Sequence, residues 1–236
     1  MTSEPLDARI RLAAQPRDTL TDATEQLVDA RVDVLVLGIG NLLWADEGFG
    51  VRCIEALYRR YEMAPGVRLL DGGTQGVYLV DHVRDADRLI VFDAIDYGDP
   101  PGRLRLVRNE EVPRFTGIRK MSLHQTGFQE VISCAQLLGQ VPIEMLLIGV
   151  QAGRLDDYGG SLSQAVANQV EAAVGVCLAQ LASWGFPCRR RAVPLASAAD
   201  LLGPGLDIDS YEKGRPSEGD AWRLGDPRVV FNEAAD

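Results

Sequence analysis

The chain holds little of what most enzyme classes need. Histidine occurs twice in 236 residues, as His82 and His124. Cysteine occurs four times, and no two cysteines form a CxxC pair. That spacing supports neither a zinc knuckle nor a thioredoxin motif. Cys53, Cys134 and Cys177 read instead as small apolar core residues. There is no GxSxG, and no cysteine lies near His124 in sequence except Cys134, which falls on the inner side of a predicted helix. A serine or cysteine nucleophile therefore has no support. Basic charge is also short: 24 Lys and Arg stand against 34 Asp and Glu, for a net charge of −10. This argues against nucleic acid as a main partner, because phosphate binding needs a basic surface. The N-terminus lacks the apolar core of a secretory signal, and no apolar run reaches the length of a membrane span. The expectation is a cytoplasmic protein with no membrane partner.

What is present is ordinary for a globular domain: 46% hydrophobic and 25% charged residues. VDVLVLG (32–38), RLIVFDAI (88–95) and IEMLLIGVQ (143–151) are continuous apolar runs, as expected of strands buried on both faces. VRLL (67–70) and RLRLV (103–107) are shorter strand candidates. Helical spacing appears over 48–61, 76–85, 124–138 and 161–183, the last with Ser161 as its N-cap. Strands alternating with helices predict an α/β fold: a twisted, mostly parallel sheet of about five strands with helices on both faces. The domain spans 32–186. Residues 1–31 read as a partly ordered extension. Residues 187–236 hold five Gly and five Pro, and read as a solvated tail, partly disordered or folding only against a partner.

The first strand runs into GIGNLLWADEGFG (38–50). A glycine-rich strand-to-helix turn suggests a nucleotide phosphate. The dinucleotide fingerprint needs GxGxxG/A and an acidic residue about twenty positions on. Here Leu43 takes the place of the third glycine, and the next strand-end carboxylate is Asp71, about thirty residues on. The carboxylates Asp46 and Glu47 would moreover repel a phosphate. A nucleotide-binding Rossmann protein stays a minor reading.

Ligands of open α/β sheets sit outside the carboxyl ends of the strands. Glu47 follows the first strand, and Asp93 lies near the end of VFDAI. A carboxylate within an apolar run is costly unless it is paired or ligates a cation. Two carboxylates on one edge converge well on a single cation. His124, at the start of a helix, would complete a Glu–Asp–His set suited to nickel or zinc, with open positions for substrate or water. DGGTQG (71–76) lies on the same edge; Asp71 there is a ligand, an orienting group or a cap. Trp44 faces a substrate or packs on the domain.

GIGNLLWADEGFGVR, LLDGGTQG, IVFDAID and KMSLHQTGF, in this order and spacing, resemble the hydrogenase maturation proteases. These endopeptidases trim the large subunit of [NiFe]-hydrogenases. The resemblance covers about residues 32–186. It implies a twisted sheet flanked by helices and a nickel-recognition triad that falls on Glu47, Asp93 and His124. It implies removal of a short C-terminal tail from the large-subunit precursor, after a His or Arg that follows the last metal-binding cysteine, and only once nickel is in place. The metal would then come with the substrate, and the empty site would admit other divalent cations such as Zn or Cd. No separate catalytic residue is assigned; the triad supplies the candidates, with Asp71 in support. Asn41, Asp71, Gly72, Gly73 and Thr74 are candidate substrate-loop residues. Partners would be the precursor and other hydrogenase maturation proteins. A non-catalytic chaperone of the metallated precursor is the alternative from another functional class.

Overall fold

The computed structural model describes residues 31–115, 123–155 and 157–215, with the side chains of residues 114–115 and 123–127 outside that description. Five strands form one sheet. They are β1 (Val32–Ile39), β3 (Val67–Gly73), β4 (Ala86–Ile95), β5 (Leu104–Arg108) and β6 (Glu144–Gln151), in the order β3-β1-β4-β6-β5. All neighbours are parallel except β5, which runs antiparallel to β6 at one edge. The three continuous apolar runs became the three central strands. In β1, Val34 to Leu37 are fully buried, each such side chain contributing on the order of 2 kcal/mol.

Helices cover both faces. On one side lie α1 (Phe49–Arg60) and α6 (Val170–Ser183), packed over Val34, Val36, Ile90, Phe92, Leu146 and Ile148. On the other lie α2 (Val80–Arg84) and α4 (Leu123–Leu137), packed over Leu35, Leu37, Leu89, Val91 and Leu147. Alternate residues of each strand thus feed opposite cores, the period-two geometry of a doubly covered strand. Cys53 and Cys177 are buried in the first core, and Cys134 packs at the margin of the second.

Several local expectations shift. The β3 strand runs three residues past VRLL, to Gly73. The 76–85 helix begins as a 3-10 turn, Gly76–Leu79. The 161–183 helix is two: α5 (Gln164–Ala167), with Ser163 rather than Ser161 at its N-cap, and then α6. Ser161 hydrogen-bonds Glu212 instead. Gln164–Ser183 is also long and apolar enough, by composition, to count as a membrane-span candidate. Here α6 turns Ala173, Val174, Cys177 and Leu181 into the core, as a packed helix of a globular domain does.

The larger difference lies beyond residue 186. Chain expected to be a solvated tail is built onto the domain up to Arg215. Strand β7 (Arg189–Arg190) pairs antiparallel with β2 (Tyr61–Glu62), joined by an Arg189–Glu62 ion pair. Helix α7 (Ala199–Leu202) sets Ala198 and Leu202 against Val51 of α1. Helix α8 (Ile208–Gly214) is capped by Asp207, whose side chain accepts from the Ser210 N–H. The composition suggested otherwise because Gly, Pro and charged residues punctuate this segment. Residues 1–30 and 216–236, on which the remaining expectations for the extensions fall, lie outside the described residues.

Candidate active site

The chain leaves β1 towards β3 on one side and later leaves β4 towards β6 on the other. The strand order therefore reverses between β1 and β4, and a crevice opens at their carboxyl ends, where open α/β sheets bind ligands. Glu47 comes from the turn after β1, in a 3-10 segment Ala45–Gly48. Asp93 sits two residues before the end of β4. The structure brings the Glu47 carboxylate close enough for its charge to act on Asp93.

The turn holds this place because of its glycines. Helix α1 starts directly on the strand ends: a Cβ on Gly50 would lie 2.2 Å from the Ile39 carbonyl and 2.3 Å from that of Phe92. A Cβ on Gly40 would strike the Glu47 carbonyl at 1.8 Å. Any side chain at either position would push the Glu47 turn off the sheet. The glycines once suggestive of phosphate thus serve close packing of backbone on backbone.

Electrostatics set the pair apart. Asp93 is 2% exposed. Burial, then the Glu47 charge, push its carboxyl well above the ordinary carboxylate range, against the pull of an Ala94 N–H. Among the described residues its Oδ1 has no hydrogen-bond partner. Glu47 is also buried, and loss of solvation pushes it up to about 7. Two carboxyls held together without a described cation suit a divalent ion, which would supply the missing charge and occupy the unpartnered oxygen. Among the described residues there is no group of three or more His, Cys, Asp or Glu side chains able to hold a metal. His124 lies in the first turn of α4, and its side chain is outside the described residues.

Asp71 occupies the end of β3, on the far side of β1. Its Oδ1 accepts from the Gly73 N–H at 2.9 Å. Burial raises its carboxyl, while that hydrogen bond and the Arg52 charge pull it back. Gly72 is buried and Thr74 exposed. Asn41 folds back on its own turn, its Oδ1 accepting from the Leu43 N–H at 3.0 Å. Trp44 packs on the domain: it bridges to Tyr158, with the rings edge-on at 5.2 Å.

Sequence reasoning missed the role of Asp46. This residue is fully buried, and its carboxylate accepts four hydrogen bonds. They come from the N–H groups of Gly153 (2.9 Å), Arg154 (2.7 Å) and Ser163 (2.6 Å) and from the Ser163 hydroxyl (2.9 Å). Asp46 ties the turn after β1 to the loop after β6, across the end of β4. Its partners lie 107 to 117 residues away, so no local signal could have revealed them.

Fold and crevice define an α/β protein with two buried carboxyls, Glu47 and Asp93, at the ligand edge of its sheet. Comparison with known proteins makes the class specific. The family model described as "Hydrogenase maturation protease" matches residues 51–180. The HupD hydrogenase expression/formation protein of Thiocapsa roseopersicina is 55% identical over 203 residues, covering 86% of this chain and 92% of that protein. HoxM of Cupriavidus necator is 55% identical over 197 residues, covering 84% and 98%. The solved hydrogenase maturating endopeptidase HybD of Escherichia coli superposes with a TM-score of 0.65 at 37% identity, over 68% of this chain and 99% of that one. The chain belongs to the hydrogenase maturation protease family, and it is an endopeptidase. About a third of it lies outside the match to the E. coli structure.

Proposed function

We propose that the protein removes a C-terminal extension from the large-subunit precursor of a [NiFe]-hydrogenase, and does so after nickel has entered the precursor. The observation that carries this reading is the buried Asp93 beside Glu47, with an oxygen left unpartnered at the switch point of the sheet. Glu47, Asp93 and His124 would meet nickel that arrives as part of the substrate. Two raised carboxyls bind a free cation poorly near neutral pH, because each must first lose a proton. A metal already held by precursor ligands brings its own coordination, so the loaded precursor gains differential affinity over the empty one. Nickel at this edge supplies Lewis acidity towards a carbonyl or a bound water. Loop residues Asn41 and Asp71–Thr74 flank the crevice and would contact the precursor segment.

The test is cleavage of purified precursor, with and without nickel, by catalytic amounts of the protein. Shortening of the nickel-loaded form alone is expected. Equal trimming of nickel-free precursor would remove nickel sensing from the assignment. Trimming at the normal rate by all of Glu47→Ala, Asp93→Ala and His124→Ala would remove the site.

A further inference from the structure

The segment from Leu195 to Arg215 does more than cover α1. It reaches the turn that carries Glu47 through Tyr211. The Tyr211 hydroxyl donates to the Leu42 carbonyl at 3.0 Å. The Tyr211 ring lies 5.2 Å from the Arg52 guanidinium, within the range of a cation–π contact. Arg52 sits one turn after Glu47 and is buried; it donates to Glu55 Oε2 and to the Leu206 carbonyl, both at 2.7 Å. Glu55 in turn accepts from the Ile208 N–H at 2.9 Å. Further along, Arg215 pairs with Asp157 at 3.6 Å. Helix α8 therefore grips both loops that flank the crevice: 41–47 after β1 and 157–163 after β6.

Within 41–47 the loop after β6 holds the Leu43 carbonyl through the Gly159 N–H and holds Asp46 through its backbone and side chain, but not Leu42. The N–H groups of 41–47 bond to the Asn41 side chain and carbonyl, to the Trp44 carbonyl and to the Arg154 carbonyl. Leu42 receives a tether from outside this turn only through Tyr211, among the described hydrogen bonds. We propose that residues 195–215 form a latch that positions the Glu47 turn for cleavage, with Tyr211 as its positioning residue. The proposal rests on the assignment of Glu47 to the site. Ala198, Leu201 and Leu202 of the latch form one apolar cluster with Leu42, Val51 and Tyr58; hydrogen bonds and ion pairs such as Arg59–Asp209 complete the closure, and these set geometry more than they add stability.

The experiment uses the full chain with Tyr211→Phe, which keeps the ring under Arg52 and removes only the hydroxyl. Amide hydrogen exchange is followed across the molecule. Turnover of nickel-loaded large-subunit precursor is followed in parallel, with Glu47→Gln as the control. Exchange at Leu43, Trp44 and Glu47 should speed up about fivefold, the worth of one net hydrogen bond, with β4 and β6 unchanged. The kcat should fall by about the same factor with KM unmoved. Tyr211→Ala should enlarge both effects in the same amides. Unchanged exchange at 41–47, or a uniform rise across the whole sheet, would overturn the latch. So would faster exchange with normal kcat while Glu47→Gln abolishes cleavage, since the latch would then hold nothing the reaction uses. Normal cleavage by Glu47→Gln would instead fault the site assignment and leave the exchange result to judge the latch by itself.

Discussion

Asp46 and Asp93 are the same side chain, equally buried, on the same edge of one sheet, and they do opposite things. Asp46 accepts four hydrogen bonds from Gly153, Arg154 and Ser163. Asp93 keeps an oxygen with no partner and faces a second carboxyl in Glu47. Buried polar groups are normally satisfied. A satisfied carboxylate offsets its desolvation by joining two loops, and its role is structural. An unsatisfied one costs stability unless something arrives to complete it. The difference separates a carboxylate that braces the fold from one that is left open.

The sharpest way to break this contrast is Asp93→Ala. Cleavage should fall at least about a thousandfold, roughly 4 kcal/mol of transition-state stabilisation. The melting temperature should hold or rise, because a buried unpaired carboxyl has been removed. A variant that loses both fold and activity would place Asp93 with the scaffold. Asp46→Ala should act first on stability. Three backbone N–H groups and a hydroxyl lose their acceptor, so denaturant unfolding should show a loss of about 3 kcal/mol. Wild-type stability in that variant would mean the two loops are held together elsewhere.

The third comparison uses pH, in metal-free protein with chelator. Glu47 titrates near 4.5 when unfolded and near 7 when folded. Between these values the folded state binds more protons, so stability falls as pH rises through the window. The fall should be larger by on the order of 2 kcal/mol than in Glu47→Gln, where the raised Asp93 carboxyl still gives a fall of the same sign. Equal slopes in both proteins would show that Glu47 is not desolvated. The smallest effect belongs to Ser163→Ala, which removes one of the four donors to Asp46 and should cost about 1 kcal/mol of stability by denaturant unfolding.

How far the sequence could be read follows from the range of each interaction. Apolar runs such as VDVLVLG declared buried strands because side-chain burial on both faces of a strand is a local pattern. The alternation of strands and helices then fixed the class of fold. That Glu47 and Asp93 fall on one edge could also be anticipated, since Glu47 follows β1 and Asp93 lies near the end of β4, and the carboxyl ends of parallel neighbours share one edge. The split between α5 and α6 could not, because Asn168 and Gln169 carry no strong breaking signal. Nor could the packing of 187–215, whose contacts reach partners such as Arg59 and Glu55, 136 and 153 positions away.

The sequence alone determined that this is a doubly covered α/β domain with carboxylates on its ligand edge, because periodicity and strand direction are properties of neighbouring residues. Only the tertiary structure decided which buried carboxylate is a joint and which is left open. It alone showed that residues 195–215 reach back to the Glu47 turn. Those outcomes depend on hydrogen bonds between residues a hundred or more positions apart, and no local pattern encodes them.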